Sequence, residues 1–448
     1  MSENLQDAIE FALAQGLIKY NSSFQLVHAP FALQPYQIEG NTLNQLAILT
    51  PFFNELMLKV ANDAEFLREH LFEASEVDSF VKNLLDLLTD DRQVQPYQMM
   101  ITRSDYLLHA TNGAASLPMP KQVEFNMISN SFVYLSRQIL LLHKYLYETH
   151  RLDAQPIEHD SFNNVVEAMA TAIKCYGHAD CHLLMIVQQK EQNLFDQRAI
   201  EYRLLEKFGI PTVRATLEAI AANGRMKDGH LYIGERLMAL AYFRAGYAPE
   251  DYSNPEAWQG RKLIESSSVI KTPSVGMQLA GAKKIQQVLV KPGILQRYIS
   301  DAEAALIQKS FVKMHALDES ANDISVIDMA LARPGDYVLK PQREGGGNNY
   351  FDDEMVDQLK SMSAEELKAY ILMERIKAPA HDSVLVVEQQ TSAIPCVSEV
   401  GRFGVCLSKD GSFIFNQDAG YLVRTKSEDV NEGGVCAGYA CLNTLVLP

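Results

Sequence analysis

The chain has 448 residues, 47% of them apolar and 21% charged, a balance that supports a core too large for one compact domain and excludes wholesale disorder. Its 56 acidic and 40 basic residues give a net charge of −16, and without a local basic stripe this surface argues against a nucleic-acid partner. The opening residues have no basic segment ahead of an apolar run, no apolar stretch reaches membrane-spanning length, and six scattered cysteines form no disulfide framework. Free thiols in a reducing cytoplasm, away from membranes, are therefore expected.

In chain order, residues 1 to about 150 are predicted mainly helical, as in NTLNQLAILTPFFNELMLKVANDAEFLREHL and SEVDSFVKNLLDLL, where apolar positions recur at helical spacing. Within this region VEFNM has strand character. Its alternation puts Glu124 and Asn126 on one face, with Val123, Phe125 and Met127 on the other. From Cys181 the pattern changes: CHLLMIVQQ reads as a strand, FDQRAIEYRLLEKFG as a helix ending at glycine, and IPTVRAT as a second strand, which together make a βαβ unit. HLYIG and MALAYFR continue the strands, PEAWQGRKLIESSSVI returns to helix, and residues of about 180 to 285 form a small α/β domain. After Lys283 the chain is helical until GDYVLKPQ, a strand that delivers the glycine-rich segment. SAEELKAY opens with a capping box between Ser363 and Glu366, and DSVLVVEQQ, PCVSEVGRFGVCLS and SFIFNQDAGYLVRTK read as antiparallel strands.

The segment KPQREGGGNNYF (340–351) sets charge beside bare backbone. Three consecutive glycines lose conformational entropy on folding, so the loop is either an exposed hairpin tip or a turn whose N–H groups cradle anionic oxygens. The adjoining lysine and arginine favour phosphate. The common P-loop and dinucleotide-binding glycine patterns are absent. CYGHADCH (175–182) mixes cysteine and histidine, but its spacing fits no common zinc pattern, and a structural role is expected.

A set of separated motifs resembles the eukaryotic-type glutathione synthetase family of ATP-grasp ligases over nearly the whole chain. It comprises HAPF (28–31), TRSDY (102–106), VEFNMISNSF (123–132), EQNLFDQRAIE (191–201), YFRAGY (242–247) and QLAGAKKIQQ (278–287). It continues with VLKPQREGGGNN (338–349), ILMERI (371–376), SEVGRFGV (398–405), LVRTK (422–426) and EGGVCAG (432–438). The resemblance implies a mixed α/β (α+β) chain with an ATP-grasp fold, an inserted α/β substrate-binding domain and a glycine-rich lid. The implied domains are 1–180, the largely helical part of the core; 181–285, the substrate domain; and 286–448, core and lid, with the lid at about 335–395. A homodimer is implied as well.

The same resemblance implies ATP and Mg2+ as cofactors, and γ-glutamylcysteine and glycine as substrates joined through an acyl phosphate. Glu124, Asn126 and Glu344 match the metal ligands, in keeping with the preference of magnesium for hard oxygens. Lys283 and Lys340 match phosphate contacts, and Pro341, Gln342, Arg343, Gly345, Gly346, Gly347, Asn348, Asn349 and Phe351 complete the nucleotide loop. Met373, Glu374, Arg375 and Ile376 match the adenine segment; Glu399 matches the ribose or metal region, and Lys426 and Glu432 close over the phosphates. Arg103, Arg244 and Arg424 match substrate arginines, whose planar forks suit carboxylates, with Arg103, Arg424 and Lys340 implied in catalysis. Ile128, Ser129, Asn130, Ser131, Glu191, Gln192, Asn193, Gln197, Tyr247, Val435 and Cys436 complete the substrate site, with Glu191 suited to an α-ammonium group.

Some positions depart from the family pattern. Cys436 stands where glycine-using members usually carry alanine, Phe351 replaces a tyrosine, Ala245 replaces an aspartate, and Phe125, Met127 and Asn130 alter the metal strand. Cys436 leaves open a second acceptor such as β-alanine. A catalytically silent ATP-binding effector on the same scaffold is the further alternative, disfavoured by retention of Glu124, Asn126, Glu344, Lys283 and Lys340.

Overall fold

Sheets of seven, six and four strands carry the architecture in this computed structural model, which describes residues 3–88, 95–110, 118–317, 321–343, 347–436 and 438–448. In the seven-stranded sheet the strands run His381–Val387, Phe31–Ala32, Cys441–Asn443, Ser412–Ser427, Gln390–Lys409, Tyr97–His109 and Met119–Asn126. Its centre is the long hairpin of Gln390–Lys409 and Ser412–Ser427. Asp410 and Gly411 turn it with φ of 50° and 81°, the positive values that a tight two-residue hairpin turn demands.

This sheet is buried on both faces, and alternate residues of one strand enter different cores. Met99 and Ile101 pack with Val405, Leu407 and the Val133–Glu148 and Ser161–Tyr176 helices; Met100 packs with Cys406, Val400 and the Gly40–Ala61 helix. A strand covered on both sides reads as a continuous apolar run, without the alternation of a half-exposed strand. This is why Tyr97–His109 stays hidden within a region predicted mainly helical.

The predicted βαβ unit is present. His182–Ile186 and Thr212–Ala215 pair in parallel around the Leu194–Phe208 helix, which ends at Gly209 with φ of 68°. Arg236–Phe243 lies on the other side of His182–Ile186, also parallel, and Ile270–Thr272 adds beside it. The four-stranded sheet holds Met314–Ala316, Tyr370–Glu374, Tyr337–Pro341 and Tyr350–Phe351. Within Tyr337–Pro341, Tyr337 and Leu339 enter a core with Met355 and Leu359, so the period of two turns Val338 and Lys340 to the opposite face. The Ser363–Glu366 capping box forms, with Ser363 N donating to Glu366 at 2.8 Å, but on a helix of only four residues, Ala364–Leu367.

All six cysteines are free thiols, and among the described residues no helix is long and apolar enough to cross a membrane.

Gly260 lies where the Pro255–Ser266 helix meets Leu217; a Cβ there would fall 2.0 Å from the Leu217 carbonyl oxygen. Backbone cannot yield as a side chain does, so Gly260→Ala should destabilise the protein by about 1–3 kcal/mol or more. A clear fall in thermal midpoint is expected, whereas Gly40→Ala, with 3.6 Å to Leu447, leaves it nearly unchanged.

Candidate active site

A cavity of about 670 Å³ lies between the outer strand of the seven-stranded sheet and the four-stranded sheet. Val123 and Glu124 line one side, Val338, Lys340 and Met373 another, and the 431–436 loop closes over them. Lys340 Nζ bridges the two sheets by donating to the Val123 carbonyl at 3.0 Å. Alternation predicts Val123 and Glu124 on opposite faces, yet both reach the cavity. The pairing of Met119–Asn126 with Tyr97–His109 shifts between Asp105 and Tyr106, so Asp105 opposes Glu124 and Tyr106 opposes Gln122, leaving Val123 as a bulge. A bulge re-aims side chains next to a site without ending the sheet.

The centre of the site is a cluster of charged and polar side chains on four adjacent strands. Arg103 grips Asp105 with Nε at 2.8 Å and Nη2 at 2.9 Å, Arg424 reaches the same carboxylate at 3.1 Å, and Asn126 donates to it at 2.9 Å. Arg424 also contacts Glu399, its direct cross-strand partner. Burial pushes Asp105 up to about 6, against the pull of Arg103 and Arg424. Burial acts the same way on Glu124, but there Lys283, Lys340, Arg424 and Arg103 prevail and hold it at about 2. Burial drives the Lys340 ammonium down to about 8, against the attraction of Glu124. Glu124 is thus a firmly ionised oxygen donor beside a lysine that titrates near neutrality.

Toward one end lie Phe351 and residues 373–376. Arg375 stacks over Phe351 at 5.5 Å, pairs with Asp352 at 2.9 Å and donates to Asn431 at 2.6 Å, joining this segment to the 431–436 loop. The amides of Glu374, Arg375 and Lys377 donate to Lys313 O, Asp336 O and His109 Nδ1. Among the described residues the intervening Ile376 amide has no such acceptor, so it is available to a ligand. Asn349 is tied to Glu432 by its backbone at 3.2 Å and its side chain at 3.1 Å. Lys426, its ammonium lowered by burial, donates to Asn431 O.

The other end gathers Ile128, Ser129, Ser131, Glu191, Asn193, Arg244, Tyr247, Val435 and Cys436. Arg244 donates to Ser131 Oγ at 2.6 Å, to Asn130 O at 3.2 Å and to Asp196 at 3.3 Å, while its Nε has no protein acceptor among the described residues. Asp196 is the anchor. Its carboxylate accepts from Phe132 N at 2.8 Å and Tyr134 N at 2.9 Å, at the start of the Val133–Glu148 helix, where free amides favour a negative charge. Ser129 and Phe132 adopt φ of 53° and 77°, values uncommon for non-glycine residues, which fold this loop back toward the cavity.

Several predicted residues stand behind the lining. Gln197 is fully buried, donating to Glu191 at 2.6 Å while accepting from Arg214 at 2.9 Å, and Asn130 is buried against Ile101 O at 2.7 Å. Gln192 offers its carbonyl to Tyr20 N at 2.9 Å. Lys283 donates to Arg343 O, and Pro341, Gln342, Arg343, Gly347 and Asn348 line a neighbouring cavity of about 360 Å³ that shares Asn349. Glu344, Gly345 and Gly346 lie outside the described residues. Sequence reading missed Asp105 and Asp196 as organising carboxylates. Nothing in the sequence marks Asp105 as buried, and its zero exposure is visible only in the fold.

Known proteins share this framework. Residues 1–447 match the model of the family described as eukaryotic glutathione synthase, ATP binding domain. The chloroplastic glutathione synthetase of Solanum lycopersicum is 36% identical over 94% of this chain and 78% of its own length. The glutathione synthetase of Dictyostelium discoideum is 33% identical over 100% of both chains, and that of Homo sapiens is 34% identical over 99% of this chain and 96% of its own. A solved structure of a glutathione synthetase like-effector from Globodera pallida superposes with a TM-score of 0.80 over 100% of this chain and 96% of that one; at 20% identity it speaks for the fold alone. With a family match from end to end and a cavity lined from the seven- and four-stranded sheets, the chain belongs to the eukaryotic glutathione synthase family of enzymes.

Proposed function

We propose that this protein joins γ-glutamylcysteine to glycine at the expense of ATP, forming glutathione through an acyl phosphate. The observation that carries the reading is the single cavity in which Met373–Ile376, the Glu124–Lys340 pair, the Arg103–Asp105–Arg424 cluster and the Glu191–Arg244 end follow one another. Adenine would lie along Met373 and Ile376, with the open Ile376 amide as donor. Lys340 and Lys426 meet the phosphates, and the dipeptide extends toward Glu191 and Arg244, which suit its ammonium and carboxylate.

The residues present fit magnesium. Asn126 turns its amide nitrogen toward Asp105 at 2.9 Å and Glu124 at 3.1 Å, which leaves its carbonyl oxygen without a donor among the described residues, beside the Glu124 carboxylate. Among the described residues no three His, Cys, Asp or Glu side chains gather as a metal site; with Glu344, which lies outside them, as the third protein ligand, the ion would draw the rest from phosphate and water, as magnesium commonly does. When bound, the ion neutralises phosphate charge and orients the γ-phosphoryl group.

In the first step the cysteinyl carboxylate oxygen attacks the γ-phosphorus, the bond to the bridging oxygen breaks, and ADP leaves. Lys340 and Arg103 offset the repulsion between two anions in a poorly solvated site. In the second, the glycine amine attacks the acyl carbon, phosphate departs, and the amine gives up a proton. Arg424, already held in place by Asp105 and Glu399, faces the glycine carboxylate. The reaction would run in the cytoplasm by a homodimer, an assembly state that light scattering can read. Because Cys436 lines the cavity, the same ligation with β-alanine is the second reading, and comparing product masses from the two acceptors decides between them.

Glu124→Gln should lower kcat/KM by about a hundredfold or more with the circular dichroism spectrum unchanged, the scale of losing one preorganised charge contact. Turnover within tenfold of wild type would remove Glu124 from the metal site.

Gly401→Ala should also reduce activity, because its Cβ would lie 2.5 Å from Asp105 Oδ1 and 3.1 Å from Arg103 Cδ. Steady-state rates on folded variant protein test this, and wild-type values would mean that the pair can shift without consequence.

Lys340 carries its charge only below about pH 8, so the KM for ATP should climb as the pH is raised past that point. Lys340→Arg, protonated throughout, should flatten the climb. An identical alkaline limb in that variant would assign the titration to another group.

A further inference from the structure

The short strand Ile18–Tyr20 contributes to the substrate end in a way that no motif announces. Lys19, 8% exposed, donates Nζ to the Cys436 carbonyl at 3.1 Å. On the next residue, Tyr20 N donates to the Gln192 carbonyl at 2.9 Å, and the Tyr20 ring meets Phe195 at 5.3 Å. Two consecutive residues of one strand therefore fasten the two loops, 191–193 and 433–436, that face each other across this end of the cavity. Strand geometry permits both contacts, since a side chain and the adjacent backbone amide leave the strand in different directions.

The charge of Lys19 is the unexplained part. An ammonium has three donors, yet among the described residues this one has a single hydrogen-bond partner, the Cys436 carbonyl, and no ion pair. A buried cation with one neutral acceptor is unfavourable unless an anion compensates it. A methionine or leucine would brace the strand more cheaply. The acids nearest Cys436 are already engaged: Asp196 by Arg244 and helix amides, Glu191 by Asn193 N at 2.9 Å and Gln197 at 2.6 Å. Lys19 and Arg244 thus meet Glu191 and Asp196 charge for charge, but among the described residues Lys19 pairs directly with neither acid, so its ammonium is left to a ligand.

We propose that Lys19 is a specificity-determining positioning residue for the anionic dipeptide: through the Cys436 carbonyl it fixes the 433–436 loop, and its charge joins that of Arg244 to favour a ligand bearing a carboxylate there. This rests on the ligase reading above and extends it to a residue outside the matched motifs. Lys19 acts through the loop and through its field; it is not a catalytic residue.

The test compares wild type with Lys19→Met, which keeps length and packing, Lys19→Gln, which serves if the methionine variant does not fold, and Lys19→Arg, which keeps the charge. Calorimetry measures γ-glutamylcysteine binding without ATP, and steady-state assays separate KM for dipeptide, KM for ATP and kcat. The neutral variants should bind the dipeptide roughly tenfold more weakly, the scale of one charge-assisted contact, with KM for ATP, kcat and thermal midpoint close to wild type. Lys19→Arg should recover most of the affinity. Unchanged dipeptide affinity in the neutral variants would overturn the proposal, and so would parallel losses of ATP affinity and thermal stability, which would make Lys19 a structural brace. If wild type itself fails to bind γ-glutamylcysteine, the ligase reading falls and this proposal with it. If wild type binds and turns over while the variants match it, only this proposal falls.

Discussion

A fully buried carboxylate, Asp105, holds the charged centre of the cavity in register. It takes hydrogen bonds from Arg103 on its own strand, Arg424 from two strands away and Asn126 from the neighbouring edge strand, so it ties the orientation of three side chains to the pairing of the sheet. Breaking a buried pair by removing one partner costs about 3–5 kcal/mol, because the remaining charge is left uncompensated. The arrangement consequently behaves as a unit. Its geometry also depends on Gly401, which sits directly opposite Asp105 in the ladder and leaves the space in which that carboxylate and the Arg103 stem lie flat.

That constraint explains how a chain of net charge −16 can hold guanidinium groups toward a cavity lined by as many acidic as basic side chains. The arginines are not free to turn outward, since each is fixed on a buried acid: Arg103 and Arg424 on Asp105, Arg244 on Asp196. The acids in turn are placed by backbone, Asp105 by the sheet and Asp196 by the first amides of a helix. Each cation thus keeps donors directed at the cavity while its charge is partly offset behind. Fixed dipoles and charges of this kind need little reorganisation when negative charge arrives, which is the condition for electrostatic stabilisation of a reacting phosphoryl or carboxyl group.

Legibility in the sequence follows the same division. That Glu124 and Asn126 share one face is readable because alternation in a strand has a period of two. The βαβ unit was readable because glycine closes its helix and the strands carry short apolar runs. Asp105, Asp196 and Lys19 were not. Their roles depend on burial and on partners far along the chain, 319 positions away for Asp105 with Arg424 and 417 for Lys19 with Cys436. The bulge at Val123 was hidden for a related reason: it arises from a mismatch between two strands, and neither sequence alone specifies it.

Cys436 shows how burial decides what a residue can contribute. Removal from water pushes its thiol up to about 11; Lys19 and Arg244 draw it down while Glu191 and Asp196 push it further up. At neutral pH it is therefore a protonated, weakly nucleophilic group, since reactivity belongs to the thiolate. What it offers the cavity is volume, together with the carbonyl that Lys19 holds. In the proposed ligation a sulfur in place of a methyl hydrogen would narrow the space beside Val435, so this end of the cavity would discriminate its ligands by length and fit. Discrimination of this kind is modest, on the order of 1–3 kcal/mol for one added group in an apolar contact, whereas under the proposed function selection of the acceptor carboxylate by Arg424 would be set by charge and would be the same for glycine and its longer homologues.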